Sequence, residues 1–330
     1  MKSALIAFLA FCLCLPLMAD EKKDKEEFEK TRALAEKGDA QGQFNLSRLY
    51  HLGEGVKQDS KEAFKWLHKA AEQGHAYGQY TLGLMYNYGE GVEKDFKEAV
   101  KWWRKAADQG MAEAQYKLGL MYNYGIGVEK DFKEAVKWYR KAAEQGWKVS
   151  QTNLGYMYAR ALGVEQDFKE AVKWYRKAAE QGDKIAQYNL GAKYSKGEGV
   201  LKDDKEAVKR WRKAADQGMA EAQYKLGVMY DNGEGVLEDS KEAAQLFRKA
   251  ADQGYAQAQY SLGVAYEVGE GVLEDDVTAY AWYNVAAANG SKDAKNNKPK
   301  IAKDMTPEQI AEGQKLSKEM IKKNPKLINE

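Results

Sequence analysis

The stretch that decides the fold runs from Met111 to Gly146, MAEAQYKLGLMYNYGIGVEKDFKEAVKWYRKAAEQG. It reads as two helices joined by a turn. Between Ala112 and Tyr124, the residues Gln115, Leu118 and Tyr122 stand at helical spacing, with small Ala114 and Gly119 among them. Gly125 and Gly127 then break the helix, because glycine takes left-handed backbone angles that other residues avoid. Val128 is expected to tuck under that turn. Asp131 is a good N-cap for the second helix, and Glu134, three residues on, is expected to complete a capping box. Ala135, Val136, Trp138, Tyr139, Ala142 and Ala143 form the apolar face of that helix, and Gly146 closes it as a C′ glycine.

The same pattern recurs on both sides. Gln-Gly closes a unit at Gly74, Gly110, Gly146, Gly182, Gly218 and Gly254, and Asn289-Gly290 closes the last. The spacing is 36 residues each time, with no insertion, which gives units 39–74, 75–110, 111–146, 147–182, 183–218, 219–254 and 255–290. A period of this length marks a solenoid, in which each unit buries its apolar face only against its neighbours. The expected fold is therefore all-α, an α/α solenoid of seven helix-turn-helix repeats with capping helices.

The pattern Ala-x-x-Gln-Tyr-x-Leu-Gly-x-Met-Tyr, Gly-x-Gly-Val, Asp-x-x-x-Ala and Trp-Tyr-x-Lys-Ala-Ala-x-Gln-Gly resembles the Sel-one-like repeat (SLR) family, which is related to tetratricopeptide repeats. The third unit carries it as Ala112, Gln115, Tyr116, Leu118, Gly119, Met121, Tyr122, Gly125, Gly127, Val128, Asp131, Ala135, Trp138, Tyr139, Lys141, Ala142, Ala143, Gln145 and Gly146. The resemblance covers 39–290. It implies a right-handed superhelix that assembles or recognises other proteins, often in bacterial envelopes. Unit four departs from the pattern at Ala161, Leu162 and Thr152, unit five at Arg210, and unit seven at Val277 and Thr278. Those departures put local turn geometry in question rather than the fold.

The two ends are expected to cover the terminal apolar faces. Residues 20–38 form a linker and a capping helix, with Phe28, Ala33 and Ala35 in phase to pack on the first unit. Residues 291–330 contain a lysine-rich irregular helix and then a closing helix. The closing helix starts at Thr306-Pro307-Glu308, runs through Ile310, Leu316, Met320 and Ile321, and ends at Asn324-Pro325. Lys322, Lys323 and Lys326 suit its C-terminus through the helix dipole, so the basic tail reads as a cap rather than a lipid-binding segment.

Residues 1–19 are of another composition. Lys2 precedes an uncharged run from Ser3 to Ala19 that contains Pro16, and Asp20 opens a charged segment. A basic start, an apolar run and a small residue at a cleavage position read as a secretory signal peptide cut near Ala19. The expected location is secreted or periplasmic, with membrane contact only through that peptide. Cys12 and Cys14 both lie inside it, so the mature chain would carry no thiol.

Over the whole chain, 52 basic and 50 acidic residues leave a formal net charge of +2, which lacks the long-range field of a nucleic-acid binder. No Walker loop, His-Glu-x-x-His, Gly-x-Ser-x-Gly or Ser-x-x-Lys motif is present. The Gly-x-Gly-Val turns lack the third glycine and the lysine of a phosphate loop. His51, His68 and His75 occupy positions filled by Asn87, Arg104 and Met111 one unit later, with no short ligand spacing, so they read as structural rather than metal-binding. Asp95, Asp131, Asp167, Asp203, Asp239 and Asp275 recur at fixed phase as helix caps, whereas a catalytic pair would be unique. No catalytic, cofactor-binding or metal site is predicted.

Seven copies can be compared with one another. In the first helix Gln115, Leu118 and Tyr122 are the same in every copy, whereas the positions of Glu113, Lys117, Leu120 and Tyr124 change most. At about 100° per residue, those four share a sector roughly 60° wide. First helices line the concave surface of stacked helix pairs, so the variable stripe is the expected binding face. It is richest in units two to four, where it includes Tyr77, Leu84, Tyr88, Glu113, Lys117, Leu120, Tyr124, Asn153, Tyr156 and Arg160. The last copy supplies Gln257, Ser261, Val264 and Val268. Tyrosine and arginine anchor protein interfaces. The predicted function is a non-enzymatic scaffold that holds a protein or peptide in its groove. A glycan- or peptidoglycan-binding module using the same tyrosines is the alternative, and a hydrolase lacks a nucleophile.

Overall fold

In a computed structural model, which describes residues 21–328, the chain is all-helical. Its helices are α1 Glu21–Glu36, α2 Ala40–Leu52, α3 Ser60–Glu72, α4 Ala76–Tyr88, α5 Phe96–Asp108, α6 Ala112–Tyr124, α7 Phe132–Glu144 and α8 Lys148–Arg160. They continue with α9 Phe168–Glu180, α10 Lys184–Lys196, α11 Asp204–Asp216, α12 Ala220–Asn232, α13 Ser240–Ala251, α14 Ala256–Val268, α15 Asp276–Ala288, α16 Lys292–Ile301 and α17 Pro307–Lys323. They form two compact units, one ending at Gln166 and the other beginning at Asp167, and the boundary falls inside the fourth repeat. The expected signal peptide lies outside the described residues. Among the described residues no helix is long and apolar enough to cross a membrane.

Within each unit the helices pack in chain order, each on the one before and the one after, as a helical solenoid. Three sequence features fix this stacking. The first is the aromatic residue of the second helix, which needs a glycine opposite it. The Tyr139 ring lies so close to Gly119 that a Cβ on Gly119 would stand 2.4 Å from it. Trp103 meets Gly83 and Trp211 meets Gly191 in the same way. A glycine inside a helix costs about 1 kcal/mol relative to alanine, and here that cost is offset by burial of a whole ring.

The second feature is the invariant glutamine. Gln115 is buried; its Nε2 donates to the Ala107 carbonyl at 3.1 Å, and its Oε1 accepts from Gln145 Nε2 at 2.8 Å. The same joint recurs as Gln73 to Gln43 and Gln109 to Gln79 in the first unit, and as Gln217 to Gln187 and Gln253 to Gln223 in the second. A buried amide must be paired, so each rung holds two consecutive repeats in register.

The third is the invariant tyrosine. The carbonyl of Tyr122 accepts from the Asp131 amide at 2.9 Å, which closes the turn. Its hydroxyl accepts from the Arg104 guanidinium of the preceding repeat. Arg140 with Tyr158 and Arg248 with Tyr266 repeat that contact.

The predicted caps form, with one change. The Asp131 carboxylate accepts from the amides of Lys133 and Glu134. Glu134 does not reach back to complete a capping box; its carboxylate pairs with Lys137 at 2.9 Å, because a lysine three residues on offers the nearer partner. The departure in unit four keeps the turn. Ala161 takes the left-handed conformation (φ 56°), and its amide donates to the Met157 carbonyl as Gly125 donates to Met121.

At the start of the chain, α1 takes up nearly all of the segment read as linker and capping helix, from Glu21, and buries Phe28, Thr31 and Ala35. Ala33, expected in the packed phase, is exposed, since 28, 31 and 35 define the face that meets α2. At the other end, Thr306 and Gln309 form a full capping box on α17, which packs on α15. A short 3₁₀ turn, Pro325–Leu327, then buries Leu327. The Leu327 carbonyl accepts from Gln259 Nε2 at 2.8 Å and from Asn289 Nδ2 at 2.5 Å. The chain end thus terminates the glutamine ladder with a backbone acceptor.

Candidate partner-binding face

The ten stripe residues predicted from the copies fall on α4, α6 and α8, all in the first unit. The first helix of each repeat turns Gln, Leu and Gly inward, so residues two positions away from that set must point elsewhere. Four tyrosines do. Tyr77, Tyr88 and Tyr156 are about half exposed and Tyr124 is 66% exposed, values unusual for so large a ring. Arg160 is also exposed, with its guanidinium carbon 5.8 Å from the centre of the Tyr156 ring. Such a contact holds both side chains in one orientation while leaving one ring face open.

Other members sit deeper. Glu113, Lys117, Leu120 and Asn153 are half-buried. Asn153 hydrogen-bonds the buried Tyr139 hydroxyl, which ties this variable position to the aromatic layer beneath. Lys117 places Nζ 5.9 Å from the Trp103 ring centre, and burial lowers its pKa. Burial, with the charges of Glu113 and Tyr88 adding to it, pushes the Tyr80 phenol up to about 12.

Leu84 corrects the prediction. It is 9% exposed and belongs to the apolar cluster of Val100, Trp103, Leu118 and Trp138. At the same phase Leu120 is half-buried, and the difference lies in the neighbours, since Leu84 belongs to the Trp103 cluster and Leu120 does not. Leu84 is a core residue, not part of the open face.

The histidines hold structural positions. Buried His51 places Nδ1 3.0 Å from Glu90, His68 lies 3.4 Å from Glu72, and His75 caps α4 by accepting the Gly78 amide at Nδ1. Among the described residues no group of three His, Cys, Asp or Glu side chains is placed to hold a metal.

The comparison of first helices overlooked one feature. Leu201, Leu237 and Leu273 stand at the same place in the turn of the last three repeats, and each is about 90% exposed. The first four copies have Lys57, Glu93, Glu129 and Glu165 there. The signal was in the sequence, in turns rather than helices.

The family model described as Sel1 repeat matches seven times, over 40–75, 76–111, 112–147, 148–183, 184–219, 220–255 and 256–291. A search of curated proteins gives no match. Among solved structures, the chain is similar to a Sel1 repeat protein from Oxalobacter formigenes, at 37% identity and TM-score 0.70, covering 90% of this chain and 85% of that one. It is also similar to a protective antigen with an SLR fold from uropathogenic Escherichia coli, at 33% identity and TM-score 0.45, covering 92% and 81%. Cysteine rich protein B of Helicobacter pylori matches at 30% identity and TM-score 0.32, covering 41% of this chain and 96% of that one. With seven matched repeats spanning 40–291 of its 330 residues, the chain belongs to the Sel1 repeat family.

Proposed function

We propose that the protein is an exported, non-enzymatic scaffold that holds a protein or peptide partner on the first-helix face of its N-terminal unit. Sel1 repeats are helical scaffolds that typically mediate protein interactions, and one observation directs the reading to this face. Tyr77, Tyr88, Tyr124 and Tyr156 are exposed in three consecutive repeats, whereas the other aromatic side chains of those repeats are buried or half-buried. Exposed tyrosines with a neighbouring arginine are the residue set that anchors interfaces.

Two measurements test the proposal. Crosslinked capture from envelope extracts by the mature protein should recover a polypeptide whose retention survives muramidase treatment. Retention that disappears with the glycan would instead make peptidoglycan the ligand. For export, N-terminal sequencing should place the mature start near Asp20, and an intact Met1 on a cytosolic protein would end that part of the reading.

A further inference from the structure

In the second unit a cavity of about 220 Å³ lies between the sixth and seventh repeats. That is below the size of a drug-sized ligand site and suits one long side chain. Its apolar lining is buried Ala244, Phe247 and Ala265 together with half-buried Val264, a variable position of the last first helix, and polar Ser240, Tyr260 and Ser261 line it as well. Its rim carries two carboxylates, Asp231 at the end of α12 and Glu270 in the turn after α14.

Among the described residues no lysine or arginine pairs with either carboxylate. Both carboxylates are exposed at the rim; partial desolvation raises the Asp231 pKa, and the charges of Glu270 and Glu238 raise it further. The rim therefore concentrates negative charge without a counter-cation.

The first unit shows how the same joint is satisfied internally. Five repeats earlier, the positions of Asp231 and Glu270 are His51 and Glu90, whose Nδ1 and Oε1 are 3.0 Å apart. There the protein supplies the donor. Between the sixth and seventh repeats the donor is replaced by a carboxylate, so two acceptors share the rim of the cavity.

We propose that this cavity receives a lysine or arginine side chain of a protein partner, with its cation between Asp231 and Glu270 and its aliphatic stem against Phe247 and Ala244. A basic side chain matches both halves of the site, since its stem is apolar and its head makes charge-assisted hydrogen bonds. The site lies on a different unit from the exposed tyrosines. It rests on the scaffold reading only for the source of the side chain, and the test below does not require that reading.

The full mature chain is titrated with Nα-acetyl-lysine-N-methylamide, followed by amide chemical shifts, and in parallel with the norleucine analogue of the same stem. The lysine probe should bind saturably, shift amides of α12 to α14, and exceed norleucine by about tenfold or more, as expected for a hydrogen bond to a charged group. Asp231→Asn with Glu270→Gln should remove that preference. Asp231→His, which rebuilds the joint seen at His51 and Glu90, should abolish lysine binding while leaving the circular dichroism spectrum unchanged. Equal binding of lysine and norleucine, or lysine binding that survives both acid substitutions, would overturn the proposal. So would displacement of the probe by calcium at equal concentration, which would make the rim a cation site. Alanine at Tyr88 and Tyr124 should leave amine binding intact, so failure of the groove reading and failure of this one are separable.

Discussion

Gln145 Nε2 lies 2.8 Å from Gln115 Oε1, thirty residues apart in sequence and in consecutive first and second helices of one repeat, while Gln115 Nε2 reaches back to the Ala107 carbonyl of the repeat before. One buried side chain thus bridges the end of one repeat to the end of the next. Because a solenoid has only nearest-neighbour contacts, a joint of this kind bears directly on how far cooperativity spreads along it.

Replacing Gln115 by leucine keeps the volume but removes the bonds to the Ala107 carbonyl and the Gln145 amide; the carbonyl still accepts from the Gly110 amide and Gln145 can turn to water. The expected loss is about 0.5–1.5 kcal/mol, the net worth of a hydrogen bond. Gln145→Ala should cost less, since Gln145 is exposed and water can replace it. Urea unfolding followed by circular dichroism ranks the two, and equal midpoints would mean that the ladder contributes nothing to stability.

Two small substitutions should act with opposite sign. Gly119→Ala places a methyl 2.4 Å from the Tyr139 ring, so overpacking of about 1–3 kcal/mol should outweigh the gain in helix propensity. Ala161→Gly relieves a left-handed alanine at φ 56° and should stabilise, by up to about 1 kcal/mol after glycine's own entropy is deducted. Thermal melts of the two variants give the signs, and a destabilised Ala161→Gly would refute the strain assigned to that turn.

At the exposed face, alanine at both Tyr88 and Tyr124 should leave helicity and melting almost unchanged, because neither ring packs a helix pair. Partner affinity should fall by about 2 kcal/mol or more if they anchor the interface. Leu84→Ala and Leu118→Ala should each destabilise by about 2–5 kcal/mol, as core truncations do. A binding isotherm with the captured partner, paired with circular dichroism, separates the two classes. Full affinity in the folded double-tyrosine variant would move recognition to another surface.

His75 should make the first unit sensitive to acid. Its Nδ1 accepts from the Gly78 amide at 2.9 Å and its Nε2 lies 3.1 Å from Gln41 Oε1, an arrangement that requires the neutral ring. Burial lowers its pKa, with Asp39 opposing; Phe44 stacks on the ring. The unfolded state then binds the proton more tightly, so this contribution is present above the unfolded pKa of about 6.5 and is lost as pH falls below it. His75→Asn, which can cap without titrating, should flatten that part of the stability profile between about pH 7 and 5. An unchanged profile would show that the cap does not control it.

The sequence alone determined the repeat, its two helices and its turns. Those features are local and seven copies of them are superimposed in one chain, so Gln115, Leu118, Gly125 and Asp131 declare their roles by recurring at fixed phase. It also marked the variable stripe, because a position free of packing is free to differ among copies. Tertiary structure decided what each variable position meets. Periodicity gives the side of a helix but not what stands opposite it, and so Leu84 joined the Trp103 cluster while Tyr124 remained open. The capping box expected at Glu134 is a different case: it lost to Lys137 three residues on, a local competition already present in the sequence. The rim shared by Asp231 and Glu270 spans two repeats, and no pattern within one repeat contains it. Burial and electrostatic pairing depend on atoms distant in sequence, which is why those outcomes required the folded chain.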